Sequence, residues 1–273
     1  MPETLSQVID DLVLANRILG HESVLDAFGH VSARHPDDPG RYLLARSRSP
    51  LLVEPDDILE YTLDSEPVRT PKVNLYAERV IHGCIYQARS DVMAVCHHHA
   101  ASVMPFCVAG KPIVPVFHFG ATMGSQHTVF WDQHDEFGDT NLLVVKEDEG
   151  RSLARALGQH WVVLMRRHGC TVAGTGLQDV VARSIYLCQN AEYQLRASIL
   201  GAPAALHPGE VKPAGEMNLQ PRVVARAWEY WTRRLEAAGG WPLRVGGAKA
   251  ARSAASNPAP ARGKSISKGK KRR

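Results

Sequence analysis

The run VMAVCHH, residues 92–98, constrains the fold of this chain more than any other stretch. Its near-continuous apolar character marks a buried strand, and such a strand needs a layer of structure on each side. Trp161–Met165 and Leu142–Val145 read as further strands, with a short helix over Ser152–Leu157 between them. GHVSARHP and RYLLARS, joined by the turn residues DDPG, are two shorter strands, and ILEYTL is a third. Helical spacing of apolar residues appears at Leu5, Val8, Ile9, Leu12, Ala15, Ile18 and Leu19, and again over Asn74–Arg89. TVAG leads through Gly174 and Gly176 into a long helix, Leu177–Leu200, and a last amphipathic helix covers roughly Pro221–Ala238. The alternation predicts an α/β protein in which a sheet is covered by helices. Between Phe117 and Thr140 the pattern predicts a long polar loop carrying His118, His127 and His134. A loop of that length in a compact domain is often functional.

The charge is unevenly placed. The chain of 273 residues has a formal net charge of +4, yet nine Lys or Arg and no acid lie from Lys249 onward, leaving the first 248 residues at −5. We therefore expect one domain over residues 1–243 and a disordered basic tail over 244–273, rich in Ala, Ser, Gly and Lys with little to bury. The tail reads as a solubilising appendage, and specific nucleic-acid binding is not expected of it. The apolar runs are too short to span a membrane, and the first residues read as a surface helix, not a signal peptide. The five cysteines, Cys84, Cys96, Cys107, Cys170 and Cys188, contain no Cys-x-x-Cys pair. A disulfide framework is therefore not expected, and a reducing cytoplasm is the simplest setting.

On a strand, successive side chains alternate between faces, so His97 and His99 share a face and His98 points the other way. Two imidazoles at this spacing can converge on one ion. His168 follows a predicted strand directly and precedes Gly169, whose freedom would let the backbone turn and aim the ring into a cleft. Three histidines with an open fourth position describe a catalytic zinc-type site. Such a site needs an acid–base group. Glu78 is the candidate, on a predicted helical face shared with His82 four residues on. A cupin-type site would place a Glu shortly after the pair, where this chain has Ser102 and Val103.

The ordered set Gly29-His30-Val31-Ser32-Ala33-Arg34, Glu78-x-x-x-His82 with Tyr86, His97-x-His99 and His168-Gly169 resembles the class II aldolase/adducin family over roughly residues 5–200. The resemblance implies a three-layer α/β/α sandwich with a central mixed, mainly antiparallel sheet. It further implies a homotetramer with active sites between subunits. It implies one divalent ion (Zn, Mn or Co) on His97, His99 and His168, with Glu78 as ligand or acid–base group.

The departures from the family pattern concern the substrate. Members acting on sugar phosphates hold the phosphate with Gly-Asn, a Thr/Ser-Gly turn and a Ser-Ser pair. This chain has Gly29-His30, Arg46-Ser47-Arg48-Ser49 and Thr70-Pro71-Lys72 in those places. Guanidinium groups bind carboxylates in a bidentate manner. The shift resembles the branch that decarboxylates hydroxylated aromatic dicarboxylates, such as dihydroxyphthalate or 3-hydroxy-2-methylpyridine-4,5-dicarboxylate. The leading expectation is thus a metal-dependent decarboxylase of a hydroxylated aromatic or pyridine (di)carboxylic acid. In it Glu78 or His82 supplies a proton, Arg46 or Arg48 anchors a second carboxylate, and His30 and Ser32 contact substrate. Aldol cleavage or epimerisation of a sugar phosphate, and a non-catalytic adducin-like role, are the alternatives. The predicted loop lacks the tyrosine that family enzymes often use as an acid, for which His118 or His127 would have to substitute.

Overall fold

The computed structural model describes residues 4–242. The basic tail expected from residue 244 lies outside the described residues. Helix α1 (Leu5–His21) starts at Thr4, whose side chain accepts from the Gln7 amide in a capping box. Strands β1 (His30–Arg34), β2 (Arg41–Ala45) and β3 (Ile58–Thr62) follow as expected. A 3-10 turn, Ala77–Arg79, leads into α2 (Val80–Ala88), and β4 (Ala94–His98) comes next. Helix α3 (Met104–Ala109), a 3-10 turn at His118–Met123, β5 (Val129–Trp131) and α4 (Gln133–Phe137) precede α5 (Glu147–Leu157). Among the described residues the order is completed by β6 (Val162–Met165), β7 (Gly169–Gly174), α6 (Leu177–Leu200), α7 (Pro208–Asn218) and α8 (Pro221–Ala237).

The seven strands form one sheet in the order β3-β2-β1-β4-β7-β6-β5, antiparallel except for the parallel pair β5–β6. Side-chain alternation sorts the core into two layers. Val31, Ala33, Ala94, Cys96 and Val172 face a cluster with Leu12 and Ile18 of α1 and Val181 and Ile185 of α6. Tyr42, Leu44, Val95, Val163 and Ala173 face the other, with Ile81 and Ile85 of α2 and Leu153 and Leu157 of α5. The three-layer α/β/α sandwich with a mixed, mainly antiparallel sheet is therefore the observed architecture. Helices cover both faces of β4, which is why that run is apolar on both sides.

Four local expectations are corrected. Leu142–Val145 is not a strand: Leu142 has φ of +66°, and the segment is an irregular approach to α5. Helix α5 begins at Glu147 and not at Ser152, because Glu147, Asp148 and Glu149 place negative charge on its first turn and Glu149 accepts from the Val145 and Lys146 amides. The supposed loop from Phe117 to Thr140 contains β5, whose three residues pair with β6. Asn74–Arg89 is not one helix, since Glu78 sits at φ −90°, ψ +21° and breaks the register ahead of α2.

Candidate metal centre

The centre of the sheet places the predicted ligands. His97 pairs with His30 of β1 on one side and Thr171 of β7 on the other. His99 follows β4 directly on the same face. His168 is the last residue of the three-residue turn that joins β6 to β7, closed by its amide bonding to the Met165 carbonyl. The positive φ in that turn belongs to Arg167, at +57°, and not to Gly169. Gly169 serves a different need: a Cβ there would sit 2.4 Å from the His98 carbonyl oxygen and 2.8 Å from His99 Cδ2. The glycine lets β7 approach β4 closely enough for the two ligand segments to meet.

The convergence is tight. His97 Nε2 lies 3.1 Å from His99 Nε2 and 3.7 Å from Glu78 Oε2, and His168 Nε2 lies 3.5 Å from Glu78 Oε1. One ligand atom from each of the four residues falls within 4.8 Å of every other. Tetrahedral coordination at 2.0–2.1 Å sets ligand atoms about 3.3 Å apart, so these separations suit one small divalent ion. The protonation states suit it too. Burial, then the neighbouring His168, His30 and other rings, push His97 well below the usual imidazole value. Burial and then His168 lower His99, against the Glu78 charge, which raises it. Neutral imidazoles with lone pairs aimed at one point are the form that binds metal. His97 Nδ1 meets Thr171 Oγ1 at 3.2 Å, which holds the ring's orientation. Glu78 Oε1 accepts from the Val144 amide at 2.9 Å, so the irregular segment before α5 steadies the carboxylate. Glu78, His99 and His168 of the cluster line a cavity of about 520 Å³, with Phe28, His30, Arg48, Leu75, Tyr76 and Leu143, while His97 lies fully buried behind them.

The profile of the Class II Aldolase and Adducin N-terminal domain matches residues 10–195. The chain belongs to this family. Among curated relatives, decarboxylase tropJ of Talaromyces stipitatus is 32% identical over 246 residues, covering 81% of this chain and 91% of that protein. The 3,4-dihydroxyphthalate decarboxylase of Arthrobacter keyseri is 26% identical, covering 87% and 97%. Among solved structures, L-fuculose 1-phosphate aldolase from Glaciozyma antarctica superposes with a TM-score of 0.72 at 19% identity, covering 87% of this chain and 92% of that one.

Within this class II aldolase fold the other predicted site residues divide into two groups. His30 and Arg48 line the cavity, as do Ser47 and Ser49. Arg46 does not; its Nε donates to Asp57 Oδ1 at 2.6 Å. Arg48 reaches the same carboxylate at 3.2 Å, so Asp57 braces both guanidinium groups. Burial alone would raise the Asp57 carboxyl, but hydrogen bonds from Arg46 and the Glu54 amide, with the Arg48 charge, hold it below its usual range. His82 and Ser32 stand behind His30 and do not line the cavity. His82 is fully buried, with its basicity pushed down to about 3 by burial, and its nitrogens are taken by His30 and Ser32. The expected shared face of Glu78 and His82 is corrected accordingly: the break at Glu78 sends the two side chains to different partners. His118 and His127 do not line the cavity within the described chain. His118 packs on Phe117 and Phe119, and His127 Nδ1 approaches the Thr128 carbonyl. Tyr76, two residues before Glu78, is a lining tyrosine that motif reading passed over, and its hydroxyl donates to the Arg48 carbonyl. His98 points into the opposite layer, where Nδ1 accepts from the Ala100 amide and Nε2 meets Cys170 Sγ at 3.0 Å.

Proposed function

We propose that this chain is a divalent-metal-dependent carboxy-lyase acting on a hydroxylated aromatic or pyridine (di)carboxylic acid. The observation that carries the reading is the meeting of three imidazole Nε2 atoms and one carboxylate at a cavity that Glu78, His99 and His168 line together with an arginine and apolar side chains. His97, His99 and His168 hold the ion in this reading. When bound, it would act as a Lewis acid towards the oxygens of the substrate. Phe28, Leu75 and Leu143 offer apolar surface to a ring, and Arg48, fixed by Asp57, offers a fork to a second carboxylate. Glu78, with Oε1 tethered by Val144 and Oε2 turned towards the cluster, takes the proton of the substrate's ring hydroxyl and passes it to the ring carbon that bears the departing carboxylate. The carbon–carboxylate bond then breaks, its electron pair returns to the ring, and CO2 leaves with hydrogen in its place. The relatives named as decarboxylases, one of them for an aromatic diacid, support this choice within the family. In the same reading the protein is a homotetramer with its active sites between subunits. Phe28, 70% exposed at the cavity mouth, offers a neighbouring copy an apolar contact.

Ser47 and Ser49 on the same wall would also suit a phosphate, so the assay presents both substrate classes. Purified protein is incubated with hydroxyphthalates, hydroxypyridine dicarboxylates and sugar phosphates while CO2 and aldehyde are both recorded. We expect CO2 from an aromatic diacid, its loss on chelation, and its return with Zn, Mn or Co. Undiminished CO2 release from metal-free protein overturns the proposal, and aldehyde from a sugar phosphate in place of CO2 transfers it to the aldolase reading.

A further inference from the structure

A second set of buried polar groups lies beside the metal cluster, and the ligand geometry does not account for it. His30, Ser32 and Arg34 alternate along β1 and share one face. His30 Nδ1 is 2.6 Å from His82 Nε2, and His82 Nδ1 is 2.6 Å from Ser32 Oγ, which is 2.8 Å from the Tyr86 hydroxyl. His30, Ser32, His82 and Tyr86 are all buried. Arg34 stands outside this chain. Its guanidinium lies 4.8 Å from the centre of the Tyr86 ring and donates to the carbonyls of Pro39, Tyr86, Arg89 and Val92, which holds the ring in place.

The donors and acceptors available give the chain a direction. Among the described residues, Ser32 Oγ is the acceptor in reach of the Tyr86 O–H; the Val95 amide, which also approaches the phenol oxygen, is itself a donor. Tyr86 therefore donates to Ser32. The Ser32 O–H then has His82 Nδ1 as its acceptor, which puts the His82 proton on Nε2. That proton is donated to His30 Nδ1, and the His30 proton is left on Nε2. Running the protons the other way would leave the buried Tyr86 O–H without an acceptor, a costly arrangement. With Nδ1 occupied, Nε2 is the nitrogen that His30 has left for the cavity it lines.

We propose that Tyr86, Ser32 and His82 form a one-way hydrogen-bond chain that locks His30 in its Nε2–H form, so that a fixed donor faces the cavity beside the three-histidine cluster. His82 and Ser32 are positioning residues in this scheme, and His30 selects ligands that bring an anionic or carbonyl oxygen to that point. The ligand-facing half rests on the cavity being the substrate site; the tautomer does not.

The test is the proton position itself, read by 15N NMR of zinc-loaded, histidine-labelled full-length protein. His97, His99 and His168 should carry their protons on Nδ1, whereas His30 and His82 should each be a single Nε2–H form. Ser32→Ala should divide His30 between two tautomers. His82→Gln should keep the Nε2–H form, because the amide supplies the same donor and acceptor. An Nδ1 proton on His30 in the unmodified protein overturns the inference, as does a Ser32→Ala protein in which His30 is unchanged. If Ser32→Ala does not fold, His82→Leu carries the same expectation of mixed tautomers and the same refuting outcome. Titration of the zinc-loaded protein with 2,3-dihydroxybenzoate addresses the ligand-facing half, with affinity expected to fall about tenfold in Ser32→Ala. Equal affinity, or no binding to either protein, overturns that half and leaves the tautomer result standing.

Discussion

Replacing adjacent histidines of the HHH run should separate stability from metal binding. His98 is fully buried on the face away from the cluster, where it accepts from Ala100 and meets Cys170. His98→Ala removes a close-packed ring and leaves a buried amide without its acceptor, for a cost of about 3 kcal/mol. In a domain of this size that lowers the melting temperature by roughly 6–12 °C. The side chain does not reach the ligand atoms, so zinc affinity should stay within about threefold, some 0.6 kcal/mol. His99→Ala deletes one of the four candidate donors. If a protein zinc site is worth roughly 10–16 kcal/mol over four ligands, each carries about 2.5–4 kcal/mol, and affinity should fall roughly 70- to 1,000-fold. Competition against a chromophoric chelator gives the affinities, and calorimetry of chelated protein gives the stabilities. If His98→Ala loses metal as completely as His99→Ala does, the alternation on which the site is built is wrong.

Two further outcomes follow from the same geometry. Gly169→Ala drives a methyl group against the His98 carbonyl and the His99 ring, so β4 and β7 must part; we expect a loss of about 2 kcal/mol and weaker zinc binding, and an unchanged melt with unchanged zinc titration would refute the close approach. His82 and His98 are held near 3 by burial against an ordinary value of 6.5, so between those values the unfolded chain takes up protons that the folded chain refuses. The stability they confer is full above about pH 6.5 and falls towards pH 3, by about 1 kcal/mol per pH unit for each ring. Urea midpoints in chelator at pH 7.5 and 5.5 should therefore differ, with a shallower dependence in His98→Leu; a flat response contradicts their burial as neutral rings.

The meeting of His97, His99 and His168 was legible because it obeys the two-residue period of a strand and because a histidine at a strand end needs little else to be turned into a cleft. Neighbours set by tertiary contact were not legible. No local signal ties Glu78 to the Val144 amide 66 residues away, and that bond fixes the carboxylate where a continuous helix would have carried it elsewhere. Arg46 and Arg48 look alike in sequence and both pair with Asp57, yet of the two it is Arg48 that lines the cavity. Leu142–Val145 imitates a strand because its apolar residues have another use: Leu143 lines the cavity. Strand β5 escapes notice because three residues are too few to show a period. Helix α7 hides behind Pro213, which sits inside it.

The sheet order has a consequence for how the protein is made. The atoms of the candidate metal cluster come from residues 78, 97, 99 and 168, and the last of these is held by the β4–β7 and β6–β7 pairings. A nascent chain that has not yet delivered residue 174 can offer three of the four clustered residues in place but not the strand that settles the fourth. Contacts so distant in sequence form late and pass through a slow search. On the proposed metal dependence, loading of an ion would then be a seal placed on a finished sheet, not a nucleus for it. In that reading a cell short of the metal would accumulate folded, empty protein and not unfolded chains.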